Sequence, residues 1–307
     1  MNAPTQYNRR QFFKGAIATT TACGLARLGV ADESTSSIPF VEPLIDTHVY
    51  IDHWPHACLP ADGPTDLIAT LRHNNVSHAW TGSFDGLFHK NIGAVNQRLS
   101  DFCAQQENDL LIPFGTVNPT LPDWEEDIRR CHEQFHMPGI RLHPNYHGYM
   151  LDDPRFARLL HVTAGRGVIV QLVACLDNAL HKWLTPAAAQ VDLKPLGQVI
   201  SKLTNLRLVI AGGVSNVDDE AIRNLLSSKQ VYFDVVHLAD GNSLTTFVDR
   251  ASTKRIVFGS GTPLYSIEPA RFKLQNAKIS NERRSAIASR NAARLIDAPT
   301  MARSHTS

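Results

Sequence analysis

From Ile38 onward the chain alternates short, nearly unbroken aliphatic runs with longer segments whose apolar residues recur every three or four positions. The runs are Leu44–Val49, His78–Ser83, Leu110–Val117, Gly139–Pro144, Gly167–Val173, Leu206–Gly213, Val231–Leu238 and Ile256–Pro263. A strand with one wet face shows a polar residue at every second place. Runs that stay apolar at consecutive positions fit strands covered on both faces, as in a parallel sheet. Between them Asp66–Asn74, Ala94–Gln106, Pro122–Phe135, Pro154–Gly165, Leu193–Leu203, Asp218–Leu226 and Ser243–Ala251 carry helical spacing. Ser280–Ile296 follows the last strand, with Asn281 placed as its cap and Glu282 in its first turn. Strands alternating with helices in this way predict the α/β class and close most naturally into a single (β/α)8 TIM barrel with every strand C-terminus at one mouth. An open doubly wound sheet needs a glycine-rich first turn, whereas the first strand here runs into Asp46-Thr47-His48.

The length of 307 residues suits one such barrel with an extension. A net charge of +1 and the lack of a basic stripe exclude nucleic acid as a partner. The extension is N-terminal. Arg9-Arg10 precede Phe12-Phe13-Lys14, and a weakly apolar, Ala- and Thr-rich stretch runs from Gly15 to Ala31. This reads as a twin-arginine export signal over residues 1–31, with cleavage after Ala31 and delivery to the periplasm or cell surface. Arg27 interrupts the apolar stretch, so no stable membrane span is expected. Residues 32–43 then form a linker, 44–297 the barrel and 298–307 a tail. Cys58, Cys103, Cys131 and Cys175 show neither CxxC nor zinc-ligand spacing, and Cys103 and Cys131 read as buried thiols on helices.

The candidate chemistry lies where the strands end. The first strand delivers Asp46, His48 and Tyr50, with Asp52, His53 and His56 beyond it. The second gives Ser83, Asp85 and His89, and the third Asn118. The fourth carries Arg141 and His143, then Asn145 and His147 past Pro144. Arg141 and His143 alternate, so both face the same side, and a cation there needs a carboxylate such as Asp46 or Asp234, or an anionic ligand. The fifth strand gives Gln171, followed by Cys175, Asp177 and His181. The seventh gives Asp234 and His237, and the eighth Ser260-Gly261-Thr262. Asp152-Asp153-Pro154 reads as a helix start.

In Ile45-Asp46-Thr47-His48, Gly139–Pro144, Leu206–Gly213, Ile256–Pro263 and the closing helix with Asn291-Ala292, the chain resembles the amidohydrolase-related family of barrel hydrolases and decarboxylases. The resemblance implies a divalent metal held by a His-x-His pair on the first strand, histidines ending the fifth and often the sixth, and an aspartate on the eighth. Here those places read His48-Val49-Tyr50, Gln171, Gly212 and Gly261, so His48 alone keeps a ligand. A glycine has no donor side chain, and a divalent ion needs several donors to offset its dehydration. No metal and no other cofactor is therefore expected, although a site rebuilt from His48, His143 and His147 or His53 stays open. Some lactonases of the wider group act without a metal. The expected activity is hydrolysis of an ester, lactone or related C–O or C–N bond of a small molecule, or a decarboxylation. His48 or His143 would act as acid or base, with Arg141 or backbone donors stabilising the oxyanion. Asn145, His147, Gln171, Ser260 and Tyr50 would bind substrate. The alternative is a barrel that has lost catalysis and serves as a binding or scaffold protein.

Overall fold

The computed structural model describes residues 42–297 apart from 57, 60, 62, 177–189 and 216–218. The expected export signal, most of the linker, the tail, and the strand-end residues Asp177 and His181 lie outside the described residues. Eight parallel strands follow one another in chain order: β1 (Leu44–Ile51), β2 (Val76–Ser83), β3 (Leu111–Thr116), β4 (Gly139–Leu142), β5 (Ile169–Val173), β6 (Arg207–Ala211), β7 (Val231–Asp234) and β8 (Ile256–Val257). The chain after β8 returns to β1. Thr47 N donates to Phe258 O (2.9 Å), Gly261 N to His48 O (2.8 Å) and Tyr50 N to Thr262 O (2.8 Å), which closes the barrel. That return explains why β8 is only two residues long, since from Phe258 the backbone bonds β1 and has left the β7 ladder. Gly261 turns there at φ 77, a left-handed conformation that a side chain would strain.

Helices cover the outside: α1 (Pro64–His73), α2 (Asp85–Phe88), α3 (Ile92–Ala104), α4 (Trp124–Arg129), α5 (Pro144–His147), α6 (Pro154–Arg166), α7 (Leu196–Ile200), α8 (Glu220–Leu226), α9 (Gly241–Arg250), α10 (Ile267–Asn276), α11 (Asn281–Ser285) and α12 (Asn291–Asp297). Their ends follow local chemistry. Asp153 caps α6 by accepting from Arg155 N, Pro154 opens it, and Gly167 ends it at φ 65, so this helix start is the one the sequence indicates. The closing helix is capped by Ser280, whose side chain accepts from Arg283 N, and not by Asn281. Pro144 does more than end β4: it opens α5, where its missing N–H costs nothing.

The barrel interior is layered along the strands. On β5, Ile169, Gln171 and Val173 alternate inward and fall into three different surroundings. Ile169 joins Ile45, Trp80, Phe114, Val209 and Val257 in an apolar plug against Leu295 of α12, with Trp80 and Phe114 stacked at 4.6 Å. Val173 joins Tyr50, Trp54, Phe84, Leu176 and Ala211 in an apolar collar at the C-terminal ends. Gln171 belongs to the polar layer between them. A third and larger apolar cluster fills the space between strands and helices, and it takes in the buried Cys103 and Cys131. No disulfide joins Cys58, Cys103, Cys131 and Cys175. No helix among the described residues is long and apolar enough to cross a membrane.

Candidate active site

The polar layer is built on an irregularity in β1. Asp46 pairs with Ala79 and Val49 with Thr81, so Thr47 and His48 together oppose the single residue Trp80. An extra residue of this kind bends a strand and re-aims its side chains. The buried His48 ring then meets Asp234 from the end of β7, with Nδ1 2.9 Å from Oδ2. Gly259 lets them approach, because a Cβ there would sit 3.0 Å from the Asp234 Cβ and 3.1 Å from the His48 Cβ.

The tautomer follows from the partners. Asp234 Oδ1 accepts from Gly212 N (2.9 Å) and Val236 N (3.4 Å), which turns Oδ2 toward the imidazole. A carboxylate only accepts, so His48 Nδ1 carries the proton and Nε2 keeps a lone pair. That Nε2 is buried and has no partner among the described residues. Burial holds His48 below its ordinary pKa, opposed by its bond to Asp234 and the charge there, and Arg141 adds to the depression.

His143 is set the other way. Tyr50 Oη lies 2.9 Å from His143 Nε2. The Arg141 guanidinium stands 4.5 Å over the Tyr50 ring, while the phenol oxygen has His143 Nε2 as its hydrogen-bond partner, so its one O–H is donated to the imidazole. Burial keeps that phenol protonated, with its pKa pushed up to about 12. His143 therefore accepts at Nε2 and carries its proton on Nδ1, which is buried without a partner among the described residues. Burial drives its pKa well down, helped by His147, Arg141 and His48. His147, at the end of α5, bonds the Gly86 carbonyl through Nε2 (3.0 Å), and its ring centroid lies 5.9 Å from that of His143.

Arg141 is wholly buried and ties four strands together. Its Nε donates to Gln171 Oε1 (2.8 Å), Nη1 to Val49 O (2.7 Å), and Nη2 to Trp80 O (2.9 Å) and Thr47 O (3.4 Å). Gln171 completes the frame by donating to Thr47 O at 2.7 Å. The guanidinium is thus met by carbonyls, an amide and a phenol ring, and no carboxylate among the described residues forms an ion pair with it. Gly82 leaves it room, since a Cβ there would fall 2.7 Å from Nη1.

His48, His143, Arg141, Tyr50, Gln171 and His147 are thus brought into one buried network. Ser260 enters through its N–H, which donates to Asp46 Oδ1 (3.0 Å), while its hydroxyl donates to Thr262 Oγ1 (2.8 Å). Asn145 stands apart, exposed on α5. Two carboxylates matter more than the sequence suggests: Asp234, the partner of His48, and Asp46, whose Oδ2 is buried and has no partner among the described residues. Burial pushes Asp46 up to about 6, against hydrogen bonds from Ser260 and His48. The alternation Asp46-x-His48 carried a signal for the first, while nothing local links Asp234 to His48. Among the described residues, no group of three or more His, Cys, Asp and Glu side chains gathers where it could hold a metal ion.

Comparison with known proteins places this geometry. The Amidohydrolase family model (Amidohydro_2) matches residues 45–297, and the chain belongs to that family of barrel enzymes. Among solved structures, 2,6-dihydroxybenzoate decarboxylase from Rhizobium superposes with a TM-score of 0.64 at 14% identity, over 83% of this chain and 98% of that one. A 5-carboxyvanillate decarboxylase from Novosphingobium aromaticivorans, complexed with manganese, gives 0.67 at 14% identity, over 83% and 96%. An amidohydrolase II from structural genomics gives 0.64 at 20% identity, over 82% and 99%. No curated protein matches the chain.

Proposed function

We propose that this chain hydrolyses an ester, lactone or related C–O or C–N bond of a small molecule, with water activated by His48 and Asp234 in place of a divalent metal. The observation that carries this reading is the pair of buried imidazoles that leave different ring nitrogens without a partner among the described residues, Nε2 of His48 and Nδ1 of His143. His48 offers a lone pair and His143 an N–H, and the two rings flank Tyr50 at centroid distances of 5.6 and 5.9 Å.

Each can do one half of a hydrolysis. His48 Nε2 takes a proton from water as the water oxygen attacks the carbonyl carbon. His143 Nδ1–H donates to the oxygen on which negative charge develops. The bond to the leaving oxygen or nitrogen then breaks, and His48 returns the proton to it. Burial is what lowers the pKa of both imidazoles and keeps them neutral, and the charge of Arg141 adds to it in a supporting role. Its N–H groups are committed to the frame, as are both ends of the Gln171 amide.

The residues present do not fit a divalent ion. His48 can offer Nε2 alone, Gln171 is bonded to Arg141 and Thr47, and among the described residues no group of three or more His, Cys, Asp and Glu side chains gathers to complete a ligand set. The backbone at Gly212 and Gly261 also rejects larger ligands. A Cβ would meet the Cys175 carbonyl oxygen at 2.0 Å in the first case and Tyr265 at 2.7 Å in the second, and both residues have positive φ. Decarboxylation, the activity named for two of the neighbours, requires a proton delivered to carbon. An imidazole whose facing nitrogen is bare suits a hydrolytic base better.

Full-length protein assayed against activated aryl esters and lactones is expected to turn over. His48→Gln and His143→Gln should each lower kcat by roughly 10²- to 10⁴-fold. Binding without turnover of any ester, lactone or amide would instead support a retained pocket on an inactive barrel. Release of carbon dioxide from an aromatic acid would replace the hydrolytic reading.

A further inference from the structure

The backbone after β7 is held by a side chain that the chemistry above does not use. Lys273 of α10 is only 6% exposed. Its Nζ donates to Val235 O (2.9 Å), Val236 O (2.7 Å) and Leu238 O (2.7 Å). An ammonium has three N–H donors, so all of them are spent on this one turn. Burying such a cation is unfavourable unless its hydration is replaced, and a methionine would fill the same space without that cost. Packing alone does not account for it.

What the turn carries does. It begins at Asp234, and the Val236 N–H inside it donates to Asp234 Oδ1. That bond, with the one from Gly212 N, leaves Oδ2 directed at His48. We infer that Lys273 is a positioning residue for the His48–Asp234 pair, its ammonium pinning the three carbonyls that fix the turn and thereby the carboxylate. The catalytic consequence rests on His48 being the base, whereas the effect on the Asp234–His48 bond does not.

The proton on Lys273 is part of the device. A neutral amine keeps two N–H donors and gains a lone pair, so one of the three carbonyls would face it unbonded. Burial lowers the Lys273 pKa to about 8, with the charge of Asp234 opposing. Of the groups facing it, Asp234 comes from β7 and His237 from the turn, and Lys273 makes a small contribution to the lowered pKa of His237. Asp240 before α9, Asp249 and Arg250 on α9, which packs beside α10, are exposed. Activity should therefore fall as pH rises through about 8. The sign for stability is opposite. With the folded pKa below the ordinary 10.5, the unfolded chain binds more protons in that window, so this group's contribution to stability rises with pH. Loss of activity without loss of fold is the signature.

The test uses full-length protein with Lys273→Met and Lys273→Arg, read by pH–rate profiles and by the low-field NMR signal of the proton on His48 Nδ1. Lys273→Met should lower kcat by roughly 10- to 100-fold with KM nearly unchanged and should shift or broaden that signal. Lys273→Arg keeps the charge, so it should retain more activity and lose the alkaline fall. In an Asp234→Asn background, Lys273→Met should cost nothing further. A folded Lys273→Met protein with the wild-type profile and an unmoved His48 signal would overturn the inference, as would an equal loss in the Asp234→Asn background. If Lys273→Met does not fold, the wild-type His48 signal decides: it should change as pH passes about 8, and an unchanged signal counts against the device. If no substrate is turned over, that signal in wild type and variants still decides, separately from the hydrolytic reading.

Discussion

Asp234→Asn is expected to lower kcat by about 10²- to 10⁴-fold and to leave the fold intact. The size follows from which way the amide must lie. Gly212 N and Val236 N both donate to Oδ1, so the asparagine oxygen stays there and its NH2 faces His48. His48 Nδ1 must then accept, its proton moves to Nε2, and the lone pair that takes the proton from water is gone. The pH dependence gives a second reading. Burial lowers the His48 pKa, so the acid limb of kcat/KM in the wild type should lie below the ordinary imidazole value, with activity rising as pH increases through it. Asp234 opposes that depression, so any residual activity of the variant should show its limb at still lower pH. An unchanged kcat in Asp234→Asn would remove His48 from the role of base.

Arg141→Met is expected to have the largest effect on stability. The substitution removes hydrogen bonds to Gln171, Val49, Trp80 and Thr47 and leaves their oxygens without that donor in the barrel interior. An unsatisfied buried acceptor costs about 1–3 kcal/mol, so the loss should reach at least ~3 kcal/mol after partial relaxation. Arg141→Lys should not restore it, because one ammonium cannot span the positions that a planar guanidinium reaches. Denaturant midpoints of the purified variants measure this. A variant within about 0.5 kcal/mol of wild type, the range of ordinary surface substitutions, would mean the guanidinium is not a structural hub.

The barrel was legible because strands covered on both faces write themselves as continuous aliphatic runs, and eight of them in alternation with helices leave few topologies. Single-turn helices such as α2 and α5 are too short to show a period. Helix α10 was hidden for another reason: Lys273 is buried while Phe272 is exposed, which inverts the expected pattern. At the site, strand parity was enough to put Arg141 and His143 on the same inner face. It was not enough to choose partners. Arg141 was expected to meet Asp46 or Asp234, yet its charge is spread over carbonyls, an amide and a phenol ring. The carboxylate went to His48 instead, from 186 positions away in the chain. Pairings of that kind depend on the bulge at Thr47-His48 and on the clearance at Gly259, neither of which has a local sequence signature.

The central claim is that the His48–Asp234 pair, and no bound cation, activates water. It is tested most directly by measuring kcat/KM for a hydrolysed ester or lactone before and after exhaustive dialysis against a chelator, with metal content determined on the same samples. The account predicts unchanged kcat/KM in protein whose metal content has fallen far below one ion per chain. Activity lost with the metal and restored by added zinc or manganese would contradict it.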